Sequence, residues 1–239
     1  MDYLVHHAKT KLDSQVQFVY TEYVATKART PARRLTARGA ATRARIVAAA
    51  ASLVYERGIA GTSLDDVMAA TGTSKSQLYH YFADKDALIG AVIKAQFGRI
   101  IAAQEAAGLH EISSWEGLQR WCDHFVTATR ATHGAGGCPL GSLVGELADQ
   151  SEPARRVLAQ CFDQWQSYLS QGFEAMRDNG ELTAQADPAE LALTVISALQ
   201  GGLLMAQATR SARPLELTLN MAVQHMAGYR RRPKQAGRR

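Results

Sequence analysis

Apolar residues recur at helical spacing almost everywhere after residue 40, and no stretch alternates with period two. The pattern predicts an all-α chain. A first helix is expected over about 40–57, with Ile46, Val47, Ala50, Leu53 and Val54 on one face and Gly58 ending it. Thr62 or Ser63 then caps a short helix through Ala70, Gly72 turns the chain, and Ser74 caps a third helix ending near Phe82. Asp84 opens a fourth helix to about Ala107. Further helices are expected over 114–132, 140–150, 153–179, 187–209 and 214–228, punctuated by Gly134, Gly136, Gly137, Pro153, Gly180, Pro188 and Pro214. No linker-like composition divides the series. The boundary between a small module at 39–90 and a larger one at 91–229 is therefore placed inside the fourth helix.

Charge changes this picture at the two ends. The net charge of +5 divides into +4 over residues 1–38, +6 over 230–239 and −5 over the 191 residues between, which hold 14 basic and 19 acidic side chains. The body is acidic, with a basic arm before it and a basic tail after it. Such ends are either solvated, disordered segments or a source of sequence-independent attraction to phosphates. Cys122, Cys138 and Cys161 form no CxxC pair and leave an odd count, which argues against a zinc site and a disulfide framework and favours a reducing cytoplasm. The charged residues Asp2, Lys9, Lys11 and Asp13 stand where a signal peptide would need an apolar run.

Residues 62–82 read as two short helices joined by a tight turn. Leu64, Val67 and Met68 supply the apolar face of the first, Leu78 and Phe82 that of the second, and the helix at 40–57 is needed as their packing partner. The outward face of the later helix presents Lys75, Ser76, Gln77, Tyr79, His80 and Tyr81. These side chains suit base edges and phosphate oxygens in a major groove, and Gln77 has the donor and acceptor needed to pair an adenine edge. From helix geometry alone, a solvated face with two packed tyrosines explains the same residues.

The stretch Thr42-Arg43-Ala44-Arg45-Ile46, then Gly58, Thr62-Ser63-Leu64-Asp65-Asp66-Val67, Gly72-Thr73-Ser74-Lys75, Leu78-Tyr79-His80-Tyr81-Phe82 and Lys85-Asp86-Ala87-Leu88 resembles the amino-terminal domain of the TetR family of repressors. The resemblance implies that Arg45, Thr62, Tyr79, Tyr81 and Lys85 meet phosphates while Lys75, Ser76, Gln77 and His80 face bases, with Ser63 also among the DNA-binding residues. Met68 and Thr73 depart from the usual alanine and valine at what look like core positions. Residues 39–90 carry five basic and five acidic side chains, so a neutral head would draw on the arm residues Lys27, Arg29, Arg33, Arg34 and Arg38 for attraction to DNA.

The larger module has no nucleotide fingerprint, no metal-ligand spacing and no nucleophile arrangement, and the chain is not expected to be an enzyme or to need a cofactor. The HGAGGC run at 133–138 reads as a flexible connection, with Cys138 and Pro139 opening the next helix. The run Gly137-Cys138-Pro139-Leu140-Gly141-Ser142-Leu143 is similar to a segment of the drug- and flavonoid-responsive TetR subgroup. Trp121, Phe125, Phe162, Trp165, Tyr168 and Phe173 gather on two helices, as core or as walls of an apolar pocket. The resemblance favours the pocket, with Trp121, Phe125, Cys138, Leu143, Phe162, Trp165 and Leu169 as its residues. Leu191–Thr209 lacks charge for the length of a membrane span, yet its Thr194, Ser197, Gln200, Gly201, Gly202 and Gln207 suit a protein interface better. The resemblance places a homodimer interface there, over about 187–228. It implies a repressor that binds pseudo-palindromic double-stranded operator DNA and is released by a small apolar or aromatic inducer. Control by cysteine modification or a partner protein is the alternative, and an enzyme or carrier with a degenerate DNA module is the rival from another class.

Overall fold

A computed structural model of the protein describes residues 35–109 and 112–231. Most of the basic arm, 1–34, and the tail from 232 onward lie outside the described residues. The described residues form helices joined by short connections, in the order α1 (Ala37–Arg57), α2 (Leu64–Thr71), α3 (Lys75–Tyr81), α4 (Lys85–Ala106), α5 (Trp115–Ala131), α6 (Pro139–Leu147), α7 (Glu152–Asp178), α8 (Pro188–Thr209) and α9 (Arg213–Ala227). The chain is all-α, as the spacing of its apolar residues predicts. The one extended pairing among these residues is an isolated bridge between Leu182 and Arg230, which the sequence does not announce.

The described residues divide between Thr42 and Arg43 into two units. In the described part of the first, the Thr36 hydroxyl accepts from the Gly39 N–H and the Thr42 hydroxyl donates to the Arg38 carbonyl. The second unit holds two hydrophobic cores. Ile46, Val47, Ala50 and Ala51 of α1 pack with Val67, Leu78, Phe82, Leu88 and Val92 to make the smaller. The larger runs through α5 to α9, and it takes in Val54 of α1 and Ile89, Ile93 and Phe97 of α4. Helix α4 is thus apolar on two sides because it is a wall of both cores.

Two buried hydroxyls explain a departure noted in the sequence. Thr73 is buried, and its oxygen lies 2.6 Å from that of buried Thr71, which in turn donates to the Val67 carbonyl. The pair satisfies its own polar atoms, so threonine is accommodated without an unpaired buried group.

Helix α7 is the spine of the larger core, burying Leu158, Cys161, Trp165, Leu169, Phe173 and Met176 at three- and four-residue steps. Helix α8 buries Leu191, Val195, Leu199, Leu203 and Ala206, yet leaves Leu193, Leu204 and Met205 exposed. Leu217 and Met221 of α9 are exposed as well.

Two glycine sites differ from expectation. A Cβ on Gly202 would stand 2.8 Å from the Leu215 Cα, so its close helix contact is made with α9 of the same chain, while Gly201 has open space beside it. The 133–138 run is a close-packed corner instead of a loose connection. His133, Gly134, Gly136 and Gly137 all take positive φ, and a Cβ on Gly134 would meet the Ala206 carbonyl oxygen at the end of α8.

Replacing Gly202 by alanine forces α8 and α9 apart and is expected to cost about 1–3 kcal/mol in urea unfolding. An unchanged midpoint and slope would show that the crossing has room to spare.

Candidate functional site

Helix α3 has seven residues and buries one side chain, Leu78, so packing alone leaves it marginal. Its position is set by caps. Ser63 and Asp66 form a capping box at the start of α2: the Ser63 Oγ accepts from the Asp66 N–H at 3.1 Å, and the Asp66 carboxylate accepts from the Ser63 N–H at 2.9 Å. These Ser63 bonds, aided by Arg57 at 3.7 Å, hold the Asp66 carboxyl below its usual 3.8. Gly72, at φ +62°, ends α2 by donating its N–H to the Met68 carbonyl. Ser74 and Gln77 repeat the box two residues later: the Ser74 Oγ accepts from the Gln77 N–H at 3.2 Å, and the Gln77 Oε1 accepts from the Ser74 N–H at 3.0 Å. Asp84 caps α4 through the Ala87 N–H at 2.7 Å.

Lys75, Ser76, Gln77, Tyr79 and His80 therefore stand exposed on a firmly seated helix, with Tyr81 half-buried edge-on against His80. Gln77 has its carbonyl oxygen in the cap and its amide group facing away from that bond. Ser63 is exposed at the head of α2. Three further predicted contacts have structural duties. Thr62 is buried, and its hydroxyl donates to the Gly58 carbonyl at 2.8 Å, which turns it inward. Arg45 donates to the Thr71 carbonyl at 2.9 Å, closing the negative end of α2. Lys85 donates to the Thr62 carbonyl at 2.9 Å and the Ile59 carbonyl at 3.4 Å, which leaves one of its three N–H donors for another partner.

A carboxylate that sequence reasoning missed joins this head to the larger core. Glu146, near the end of α6, accepts from the Ile59 N–H at 2.8 Å, just past the end of α1. It is the sole charged residue of α6, and that isolation was its signal. The other end of α6 begins at Cys138, whose backbone caps the helix while Pro139 fills its first turn.

Cys138 also lines a cavity of about 200 Å³ with Phe125, Ala128, Thr129, Trp165, Leu203 and others. Of the seven predicted pocket residues, Phe125, Cys138 and Trp165 are brought together there. Trp121, Leu143 and Leu169 are buried in the core instead, and half-buried Phe162 stacks on Trp165 at 6.5 Å. Trp121 lies behind Phe125, with ring centroids 4.6 Å apart, and its indole N–H donates to the buried Gln104 Oε1 at 2.8 Å. Burial pushes the Cys122 thiol up to about 12 and the Cys161 thiol up to about 11, which makes both poor nucleophiles.

Comparison with known proteins fits this arrangement. Residues 46–92 match the sequence profile of the bacterial regulatory proteins of the tetR family, and residues 115–222 match that of the tetracyclin repressor-like C-terminal domain. An HTH-type transcriptional regulator from the lacX 3' region of Lactococcus lactis subsp. lactis is 32% identical over 190 residues, covering 75% of this chain and 90% of its own. The chain belongs to the TetR family. A TetR transcriptional regulator from Chloroflexus aurantiacus has a crystal structure 27% identical, with a TM-score of 0.67, over 83% of this chain and 100% of that one. The repressor NemR of Escherichia coli K12 is 29% identical over 185 residues, covering 74% of this chain and 90% of its own. Its reduced-form crystal structure superposes with a TM-score of 0.60 at 26% identity, over 81% of this chain and 99% of that one.

In this TetR-family chain α3 is held by backbone caps, so capping and any base contact can be separated at one residue. Gln77→Glu retains an acceptor for the Ser74 N–H, since glutamate serves the same box, but replaces the amide donors with negative charge. Its thermal stability should stay within about 0.5 kcal/mol of the parent, while fluorescence anisotropy shows a marked loss of affinity for double-stranded DNA. Equal DNA affinity would remove Gln77 from the reading face. The Asp66 clasp has the sign of a depressed carboxyl: its support of α2 is complete at neutral pH and is lost as pH falls through the lowered value.

Proposed function

We propose that the chain is a cytoplasmic, homodimeric transcriptional repressor that reads a pseudo-palindromic operator through α3 and leaves it when a small ligand fills the cavity at the head of α6. The observation that carries this reading is the course of α6. It starts in the cavity wall at Cys138 and ends at the Glu146 bond to Ile59, so one helix touches both the cavity and the reading head. Residues 39–90 read DNA in this scheme, and 91–229 sense and dimerise. Exposed Leu193, Leu204, Met205, Leu217 and Met221 on α8 and α9 supply apolar surface for the second copy.

Two such heads on one face of DNA stand about 34–36 Å apart, one turn of the duplex. A ligand releases them by favouring another spacing, and a decisive shift needs about 5.5 kcal/mol of differential binding. That energy reaches the head through α4, which both cores share, and through Glu146.

Selection from a random double-stranded library should yield two inverted half-sites, and Lys75→Ala should relax the preference at defined bases in each. A single half-site, or no enrichment, contradicts the dimeric reading. Deleting residues 1–38 should weaken binding and flatten its salt dependence, because the arm contributes seven cations. Unchanged affinity and slope in a salt titration would assign the arm no part in DNA binding.

A second reading has its own observation: Cys138 is a thiol in the wall of the cavity at the start of α6. Under it, N-ethylmaleimide releases the protein from its operator while Cys138→Ala resists, the other two thiols being held in their unreactive form. Under the ligand reading, the two proteins keep their DNA alike.

A further inference from the structure

Residues 39–90 balance five cations against five acids, so their attraction to a polyanion depends on which cations are uncommitted. Three are engaged. Arg57 stands 3.7 Å from Asp66, Arg45 donates to the Thr71 carbonyl at 2.9 Å, and Lys85 donates to the Thr62 and Ile59 carbonyls. The side chains of Lys75 and Arg43 make no ion pair and no hydrogen bond among the described residues. Lys75 opens α3. Arg43, from α1, stands at the other end of that helix: its guanidinium carbon lies over the ring of Phe82, 5.1 Å from the centroid, and Phe82 is the residue that caps α3.

Arg43 is exposed, whereas Phe82 is 3% exposed and packed in the smaller core. The ring is a fixed floor beneath a cation that solvent still reaches. A ring face attracts a guanidinium without offering a conventional acceptor, so the five N–H donors of Arg43 stay available. A side chain already held in place gives up less rotamer freedom when it binds. The location matters as well. Helix α3 ends there in backbone carbonyls, whose partial negative charge disfavours a phosphate unless a cation offsets it. With seven residues α3 is about 10 Å long, comparable with the major groove's width of about 12 Å. A helix seated in that groove brings its ends toward the flanking sugar–phosphate strands.

We propose, on the reading that α3 enters a major groove of the operator, that Arg43 grips a backbone phosphate beside the last turn of α3, with Phe82 as the surface that orients it. The phosphate-binding arginine of α1 is then Arg43, while Arg45 serves the end of α2. Fluorescence anisotropy on the full chain tests this with two duplexes, one carrying the inverted half-sites selected from a random library and one of unrelated sequence. Arg43→Ala should weaken binding to both by about tenfold and leave their ratio unchanged, because a phosphate carries no sequence information. The slope of log affinity against log salt should fall by about 0.9 for each protomer. Arg99→Ala removes an equal charge from the exposed surface of α4 and should change neither quantity. Phe82→Leu should weaken binding too, and adding Arg43→Ala to it should cost less than Arg43→Ala alone. Losses that simply add would overturn the part given to Phe82; if Phe82→Leu does not fold, the salt slopes of Arg43→Ala and Arg99→Ala decide. Unchanged affinity and slope in Arg43→Ala, a change no larger than that of Arg99→Ala, or a loss confined to the selected duplex overturns the phosphate grip and leaves the operator reading standing. If the parent chain binds neither duplex, the operator reading fails and the grip falls with it.

Discussion

Both hydrophobic cores depend on α4, a helix buried on two sides. Leu88 and Val92 belong to the core under α3, while Ile89, Ile93 and Phe97 belong to the core that borders the cavity. Residues one position apart on a helix point about 100° apart, so two adjacent rows face two different cores. Close-packed interiors transmit displacement instead of absorbing it. A change in the cavity walls that shifts α4 must therefore repack both sides or carry the smaller core with it.

The N-terminal turn of α4 strengthens this dependence. Asp84 caps the helix, and Lys85, its first residue, ties the connection before α2 through the carbonyls of Ile59 and Thr62. Glu146 meets the same connection from α6. The loop between α1 and α2 is thus held from α4 by a cation and from α6 by an anion, at adjacent backbone groups. Helix α3 beyond it contributes little burial of its own and relies on its Ser74 and Gln77 cap. Its presentation is set by hydrogen bonds that close locally, and its placement by the long-range bonds of Lys85 and Glu146.

What could be read in the sequence divides along the same line. Ser63, Ser74, Asp84 and Gly72 act on backbone groups within four residues of themselves, so chain order was enough to place the helix ends and the turn. The helical spacing likewise placed the apolar row of α1. Glu146 was missed because its partner is 87 residues away: its isolation on an uncharged helix marks it but does not say what it meets. Gly134 and Gly202 make close approaches to Ala206 and Leu215, which composition alone reads as looseness or as surface for a partner. The cavity was half legible for a related reason. Aromatic type marked Phe125 and Trp165, but the same signal marked Trp121 and Phe162, and only packing shows which rings face empty space. Ile100, Thr129 and Leu203 carried no signal, being ordinary residues whose position supplies their role.

The central claim is that two copies of this chain present α3 to successive major grooves. It is tested most directly by the distance between those helices on DNA. Ser76 is exposed on α3, and the three native cysteines are buried, so a spin label on Ser76→Cys reports that distance by pulsed electron resonance. The dimer on its operator gives one narrow distribution centred at about 34–36 Å. Absence of coupling between labels, or a broad distribution well away from that separation, would contradict it.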